Sequence, residues 1–186
     1  MYGMVNKAIE EMMLLHHDEA TWERIKAQAG VDVDVFISND GYPDELTYHL
    51  VDAAAETLAI PAEQVLQAFG EHWVLVTAEE GYGELMGAGG RTLEEFLRNL
   101  PGFHARVALI FPNLKPPTFK VANVTANSLD LHYYSRRAGL QSFVIGMVQG
   151  LAKRFATTVE VSVLADRSAG ADHDVFLVKW FDTERR

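Results

Sequence analysis

Tyr133, Ser135 and Arg137 place two hydroxyls and a guanidinium at every second position of one short segment. In a β-strand, residues spaced by two point to the same face of the sheet. Leu129 and Leu131 continue this spacing upstream, so the face that carries the polar groups is predicted to look inward. Buried donors need a partner, because leaving them unpaired costs several kcal/mol. An anion with carboxylate geometry would satisfy them, since arginine suits bidentate binding of a carboxylate.

The same spacing also allows a simpler interpretation. Arg137 would then reach solvent at the end of the strand while Tyr133 packs in the core, because long amphipathic side chains often extend their polar tips to water. The spacing alone leaves both interpretations open.

His104 is the second candidate for chemistry. It is predicted to lie on a short helix between Pro101-Gly102 and Pro112. Its small neighbours Ala105 and Ala108 leave room for a large group to approach the imidazole ring. Neutral imidazole is a standard protein ligand for haem iron, and a hydrogen-bonded core histidine is the alternative. The other six histidines are predicted to be surface or ordinary core residues.

Helices are predicted for the first two-thirds of the chain, where apolar residues recur at helical spacing. The first helix ends at about His16, the second is closed by Gly30, and Pro43 and Pro61 open the third and fourth. The glycine-rich segment 81–90 is predicted to be the loosest part of the chain.

The next helix begins at a capping box formed by Thr92 and Glu95, and Pro101-Gly102 is predicted to interrupt it. Beyond it, the pattern predicts a hairpin, a long amphipathic helix and two further strands, at about 119–137, 140–155, 159–163 and 175–180. Gly146 and Gly150 form a G-x-x-x-G pattern on the long helix, which in such a chain indicates close helix packing.

Length and composition restrict the class of protein. The 186 residues suit one domain, or two lobes that share a core, and 48% of them are hydrophobic. The net charge of −10 argues against binding to nucleic acid or to an anionic membrane. Cysteine is absent, which excludes disulfides, thiolate nucleophiles and cysteine-ligated metals. With no signal peptide and no membrane span in the pattern, we expect a soluble cytoplasmic protein.

The candidate residues together resemble the H-NOX family, the haem nitric oxide/oxygen-binding domain found in the sensor region of soluble guanylate cyclase. The resemblance covers essentially the whole chain. It runs through these further segments: Met1-Tyr2-Gly3, Val5-Asn6, Thr47 to Leu50, Phe69-Gly70-Glu71, Glu79 to Leu85, His104-Ala105-Arg106, Phe111-Pro112, Pro116-Pro117 and His132 to Leu140.

The resemblance implies an α+β fold and a single domain over residues 1–186. A helical lobe, about 1–60, would pack on a lobe with an antiparallel sheet and a long helix, about 61–181, with haem b (iron protoporphyrin IX) between them. His104 would be the axial ligand of the iron. Tyr133, Ser135 and Arg137 would bind the two haem propionates, and Pro117 would press on the porphyrin.

The resemblance also predicts the distal side of the haem, with a nearly apolar wall formed by Val5, Ile9, Trp73, Phe143 and Met147. Family members that hold oxygen have a tyrosine at the position that matches Phe143, and its hydroxyl donates to the bound oxygen. Nitric oxide and carbon monoxide are therefore the expected ligands. The indole N–H of Trp73 is the one group that favours oxygen instead.

The implied mechanism is a switch without catalysis, so no catalytic residue and no enzyme activity are expected. Nitric oxide would loosen the iron–His104 bond and shift the lobes for a separate effector protein. In bacterial relatives that effector is typically a histidine kinase or a diguanylate cyclase/phosphodiesterase, and we expect no fused output domain. The alternatives are an oxygen-binding carrier or sensor without nitric oxide selectivity, and a peroxidase that would use His72.

Overall fold

The computed structural model describes residues 1–110 and 116–181 and has an α+β fold, as predicted. In chain order, the elements are α1 (Gly3–His16), α2 (Glu19–Ala29), α3 (Asp44–Leu58), α4 (Ala62–His72), a π-helical turn (Trp73–Thr77), α5 (Ala78–Gly87), α6 (Leu93–Ile110), β1 (Thr118–Ala122), β2 (Ser128–Tyr134), α7 (Gln141–Arg154), β3 (Thr158–Ala165), a 3₁₀ turn (Arg167–Ala169) and β4 (Asp174–Phe181). Within the described ranges, no helix is long and apolar enough to cross a bilayer.

The first four helices enclose an apolar core of their own. Ile9 of α1, Trp22 and Ile25 of α2 and Leu50 of α3 are buried in it. Their helical spacing puts them on one face of each helix, which is why these segments pack as an amphipathic layer. Gly30 closes α2 in the left-handed conformation, with φ of 65°, as its position in the sequence predicted.

The four strands form one antiparallel sheet in the order β1-β2-β4-β3. The predicted alternation along β2 is confirmed, because Leu129, Leu131 and Tyr133 are buried while the residues between them are half-buried. The inward face packs against α7, which contributes Val144 and Val148 to a second core. The predicted hairpin is the β1–β2 pair.

The predicted strand is shorter than expected at its carboxyl end. β2 stops at Tyr134, so Ser135 and Arg137 lie in the segment that follows it. Pairing with the neighbouring strand ends where Tyr133 meets Asp174, and the chain then turns into α7 through Gly139 at φ of 74°. The two residues thus reach the buried side from a turn.

The segment predicted to be loosest is instead helical. α5 runs through Gly87, and its Ala78 and Met86 are buried in the second core. A kink at Tyr82, where φ is −144°, allows the helix to change direction. Burial of these apolar side chains offsets the low helix propensity of the glycines.

The predicted interruption of α6 is also wrong. The helix passes through Pro101 without a break. Proline removes only one backbone donor, and residues on both sides of it, Leu97, Leu100 and Phe103, pack against the same core. The helix start was predicted correctly, because the Glu95 amide donates to the Thr92 hydroxyl at 3.1 Å.

Helices α4 and α7 are in backbone contact, which confirms the predicted role of the G-x-x-x-G pattern. A Cβ atom added at Gly146 would lie 2.0 Å from the carbonyl oxygen of Gln67, and one at Gly70 would lie 2.1 Å from that of Phe143. Only glycine allows this approach. The seam joins the amino-terminal helices to α7, which packs on the sheet.

We predict that Gly146→Ala lowers the free energy of unfolding by about 1–3 kcal/mol, because the new methyl group forces α4 and α7 apart. Chemical denaturation followed by circular dichroism measures this change. Gly81→Ala is the matched control, since a Cβ there meets nothing within 4 Å. Equal midpoints for the two variants would contradict the packing argument.

Candidate functional site

A cavity of about 250 Å³ lies between the amino-terminal helices and the lobe that contains the sheet. Its walls are mostly apolar, and both lobes contribute to them. Eight of the predicted site residues besides His104 line it: Val5, Trp73, Pro117, Tyr133, Ser135, Arg137, Phe143 and Met147. The fold thus brings together residues that are far apart in sequence.

His104 lines the cavity from α6. Its Nδ1 lies 3.1 Å from the carbonyl oxygen of Leu100, which can only accept, so Nδ1 carries the proton and donates it. Nε2 therefore keeps its lone pair, and the described residues provide no hydrogen-bond partner for it. Burial lowers the pKa of His104, and the Leu100 bond acts in the opposite direction. The imidazole is thus neutral, which is the form that binds iron.

The aromatic neighbours of His104 restrict its orientation. The ring centroid of Phe119 lies 5.2 Å from that of His104, and the Phe103 ring meets it edge-on at 5.7 Å. Phe119 in turn packs against Tyr133 at 5.2 Å. Histidines that bind metals are typically held in one orientation by the groups packed and hydrogen-bonded around them.

The predicted anion-binding residues converge at one end of the cavity. Tyr133 is buried, and a hydrogen bond joins its hydroxyl to Ser135. Burial raises the pKa of Tyr133, so the phenol remains protonated and able to donate. The Ser135 hydroxyl also accepts from the Arg137 amide at 3.1 Å. Two hydroxyls and a guanidinium therefore border the same space.

Sequence reasoning missed the first partner of Arg137, which is Asp44 at the start of α3. The guanidinium donates from Nε to Oδ2 at 2.8 Å and from Nη2 to Oδ1 at 3.2 Å. The amino group of Met1 donates to the same carboxylate at 2.5 Å. Partial burial acts to raise the pKa of Asp44, but the bonds from Arg137 and Met1 lower it overall. No local signal predicts this contact, since the two residues are 93 positions apart.

Four of the five residues predicted for the distal wall, Val5, Trp73, Phe143 and Met147, line the cavity. Phe69 packs against Phe143 at 5.0 Å and meets Trp73 edge-on at 6.1 Å, and all three line the cavity. Ile9 was predicted for this wall, but it lies in the core of the amino-terminal helices and does not line the cavity. It lies on the same helix face as Val5 but one turn further along α1, among the buried core residues of the first four helices.

The π-helical turn that places Trp73 in the wall was not predicted from sequence. It follows α4 directly, so the apolar pattern continues across it without a visible break. His72 precedes this turn and is buried, but it does not line the cavity. Among the described residues, His104 is the only histidine in the cavity wall, and no group of three or more ligating side chains could hold a metal ion. His72, which the peroxidase alternative would use, is therefore outside the cavity wall.

The residues fit a haem group in three respects. His104 lines the cavity and its Nε2 has no partner within the described ranges, the walls are mostly apolar, and three donors that could bind carboxylates also line it. This combination matches an iron porphyrin, which is a flat apolar disc with a ligating metal at its centre and propionates on one edge.

Comparison with known proteins agrees with this geometry. The family model described as Haem-NO-binding matches residues 2–163. The chain is 29% identical over 199 residues to soluble guanylate cyclase gcy-32 of Caenorhabditis elegans, and it covers 29% of that protein. It is 34% identical over 122 residues to the guanylate cyclase soluble subunit beta-2 of Rattus norvegicus, and this match covers 62% of the chain and 18% of that subunit. The chain thus spans under a third of either relative.

Solved structures share the whole fold. An H-NOX protein from S. oneidensis in the Fe(II)NO state superposes with a TM-score of 0.88 at 19% identity, covering 98% of this chain and all of that one. The Fe(II) unliganded H-NOX protein from K. algicida gives 0.86 at 20% identity and full coverage of both chains. At this identity the likeness establishes the fold, while the family match rests on the sequence model. The chain belongs to the haem-NO-binding, or H-NOX, family of haem-based gas sensors.

Proposed function

We propose that this domain binds haem b through His104, takes up nitric oxide and carbon monoxide at the ferrous iron, and signals to a separate effector protein. One observation carries this proposal: the His104 imidazole, whose Nδ1 is bound to the Leu100 carbonyl, lines an apolar cavity and has no partner for Nε2 among the described residues. Bound haem would supply the iron that takes up the gas, and His104 would hold that iron from α6.

The chain's own residues hold the cofactor at two places. His104 provides the axial ligand from α6. Tyr133, Ser135 and Arg137 bind the propionates, and the guanidinium N–H groups that Asp44 does not use remain available for a carboxylate. Pro117 lines the cavity just before β1 and would contact the porphyrin there. The proposed anchor is therefore the turn after β2, and the proposed moving part is α6.

The distal wall supports selectivity for nitric oxide and carbon monoxide. A hydrogen-bond donor in this wall would favour oxygen, and Phe143 offers none at the position where oxygen-holding members have tyrosine. Phe69 and Met147 add further apolar surface. The indole N–H of Trp73 is the observation that favours the second candidate, an oxygen-binding carrier or sensor, because this side chain also lines the cavity.

Helix α6 is suited to transmit the effect of gas binding from His104 to the protein surface. Its first half packs in the core, but beyond His104 it is largely exposed, with Leu109 82% and Ile110 55% accessible. A helix whose second half has few core contacts moves at little cost once the tie at His104 loosens. We propose an effector in trans, of the histidine kinase or diguanylate cyclase/phosphodiesterase class. No catalytic residue is assigned to this domain.

We predict that the visible spectrum of the reduced, haem-loaded protein changes on addition of nitric oxide. We also predict that His104→Gly loses the visible spectrum that histidine ligation gives the wild type. Added imidazole should restore it in the variant, since a free ligand replaces the lost side chain. His132→Gly is the control, because His132 lies on the outer face of the sheet and does not line the cavity. An unchanged spectrum of His104→Gly would contradict the assignment of the iron ligand.

Arg137→Ala should speed haem loss about tenfold or more, since a charged hydrogen bond is worth roughly 1.5–3 kcal/mol. The spectral response to nitric oxide should be unchanged, because the iron ligand is intact. Transfer of haem to excess apomyoglobin measures the rate. Arg136→Ala is the matched control, as this neighbouring arginine is exposed and does not line the cavity. Haem loss as slow as in the wild type would show that Arg137 serves only Asp44.

Phe143→Tyr should give the ferrous protein a stable oxygen spectrum in air, because the new hydroxyl donates into the distal wall. Phe143→Leu removes the ring without adding a donor and should not have this effect. Spectra of the reduced proteins before and after exposure to air provide the measurement. A stable oxygen spectrum in the wild type would refute oxygen exclusion and support the second candidate.

A further inference from the structure

The amino-terminal half of the chain is strongly acidic. Residues 27–90 contain twelve aspartates and glutamates and no lysine or arginine. Three of these acids are neutralised by cations from other elements: Asp44 by Arg137, Glu71 by Lys153 and Glu79 by Arg154. Three further acids lie between α2 and α3. Asp32, Asp34 and Asp40 are exposed and form no ion pair within the described parts of the chain.

Two large apolar side chains project from the same segment, the 31–41 loop. Val35 is 72% exposed and Ile37 is 57% exposed, and they flank Phe36, which is buried. The loop therefore alternates between a side chain that anchors it and neighbours that point to water. Exposed apolar groups rimmed by polar or charged residues are typical of contact surfaces.

Hydrogen bonds and ring contacts hold this loop in one conformation. The Phe36 ring packs edge-on against Tyr42 at 5.5 Å, and the Ile37 amide donates to the Tyr42 hydroxyl at 3.1 Å. The amide of Met4 donates to the Ser38 carbonyl at 3.1 Å. The backbone therefore presents Val35 and Ile37 in a preformed arrangement, which lowers the entropic cost of binding a partner.

The loop also touches the wall of the gas-binding cavity. The Gly3 amide donates to the Asp40 carbonyl at 2.9 Å, and a Cβ at Gly3 would lie 2.0 Å from the Ile37 carbonyl oxygen. The first turn of α1 is thus in backbone contact with the loop. The same turn supplies Met4 and Val5 to the cavity wall. A displacement of α1 by a bound ligand must move the exposed surface as well.

We propose that Asp32, Asp34, Val35 and Ile37 form a docking surface for a protein partner that presents an apolar ridge flanked by lysines and arginines. Charge complementarity selects this occupant. A second copy of the chain would place the same aspartates opposite each other, and an anionic membrane would repel them. The inference rests on the proposed function in one respect, since the partner it describes is the effector.

A fluorescent amphipathic peptide, built of leucines on one helical face and lysines on the other, is a suitable probe. Its anisotropy is measured with the full-length, haem-loaded ferrous protein without gas. We expect V35S/I37S to weaken binding roughly tenfold, as loss of a central apolar anchor does. L14S/L15S is the matched control, because these leucines of α1 are similarly exposed, at 43% and 63%. Its effect should be below about twofold.

The electrostatic part is tested with D32N/D34N against E80Q/E84Q, which removes the same charge from α5. We expect only D32N/D34N to weaken binding severalfold at low salt, and the difference to vanish at about 1 M salt, where the screening length is roughly 3 Å. Equal affinity of V35S/I37S and wild type would overturn the proposal. So would equal effects of the two charge variants.

Failure of this surface and failure of the proposed function are separable. If the spectrum responds to nitric oxide but V35S/I37S does not change the affinity for the peptide, the sensor function stands and the docking surface is rejected. A protein that shows no gas response, but binds the peptide through Val35 and Ile37, would reject the sensor and keep the surface.

Discussion

Asp44 is the point at which three parts of the structure around the cavity are joined by hydrogen bonds. Its carboxylate accepts from Arg137, which follows the sheet strand β2, and from the amino group of Met1, which precedes α1. The side chain is 36% exposed, so the ion pair contributes little to global stability. Its effect is positional: it places the Arg137 guanidinium at the mouth of the cavity and ties the start of α1 to the same point.

This position allows Arg137 to contact a second carboxylate with the N–H groups that Asp44 does not use. The guanidinium joins the lobes through Asp44 and, in the proposed haem complex, binds a propionate. A planar group with several N–H donors can serve two carboxylates at once, which lysine cannot do with the same geometry. In the proposed complex, a propionate on Arg137 would be one residue away from Asp44, which begins α3 and contacts Met1 ahead of α1.

The protonation state of His104, on α6, follows from its burial. Desolvation keeps the imidazole neutral, and the Leu100 carbonyl selects the tautomer whose Nε2 is available to a metal. Because Pro101 lies within α6, the helix loses a backbone donor just before this histidine. The residues that offset this loss belong to the core, whereas the helix after His104 is exposed. His104 therefore lies where the buried half of α6 ends and the exposed half begins.

The sequence by itself determined the features that depend on local periodicity. The two-residue alternation predicted which face of β2 is buried, and glycine spacing predicted the α4–α7 seam. It did not indicate the continuity of α5 and α6, since glycine and proline oppose a helix locally while core contacts outweigh them. It did not show that Ile9 lies in the core of the first helices and outside the cavity wall. The tertiary structure alone decided that Asp44 pairs with Arg137, because a contact across 93 residues depends on how the lobes pack.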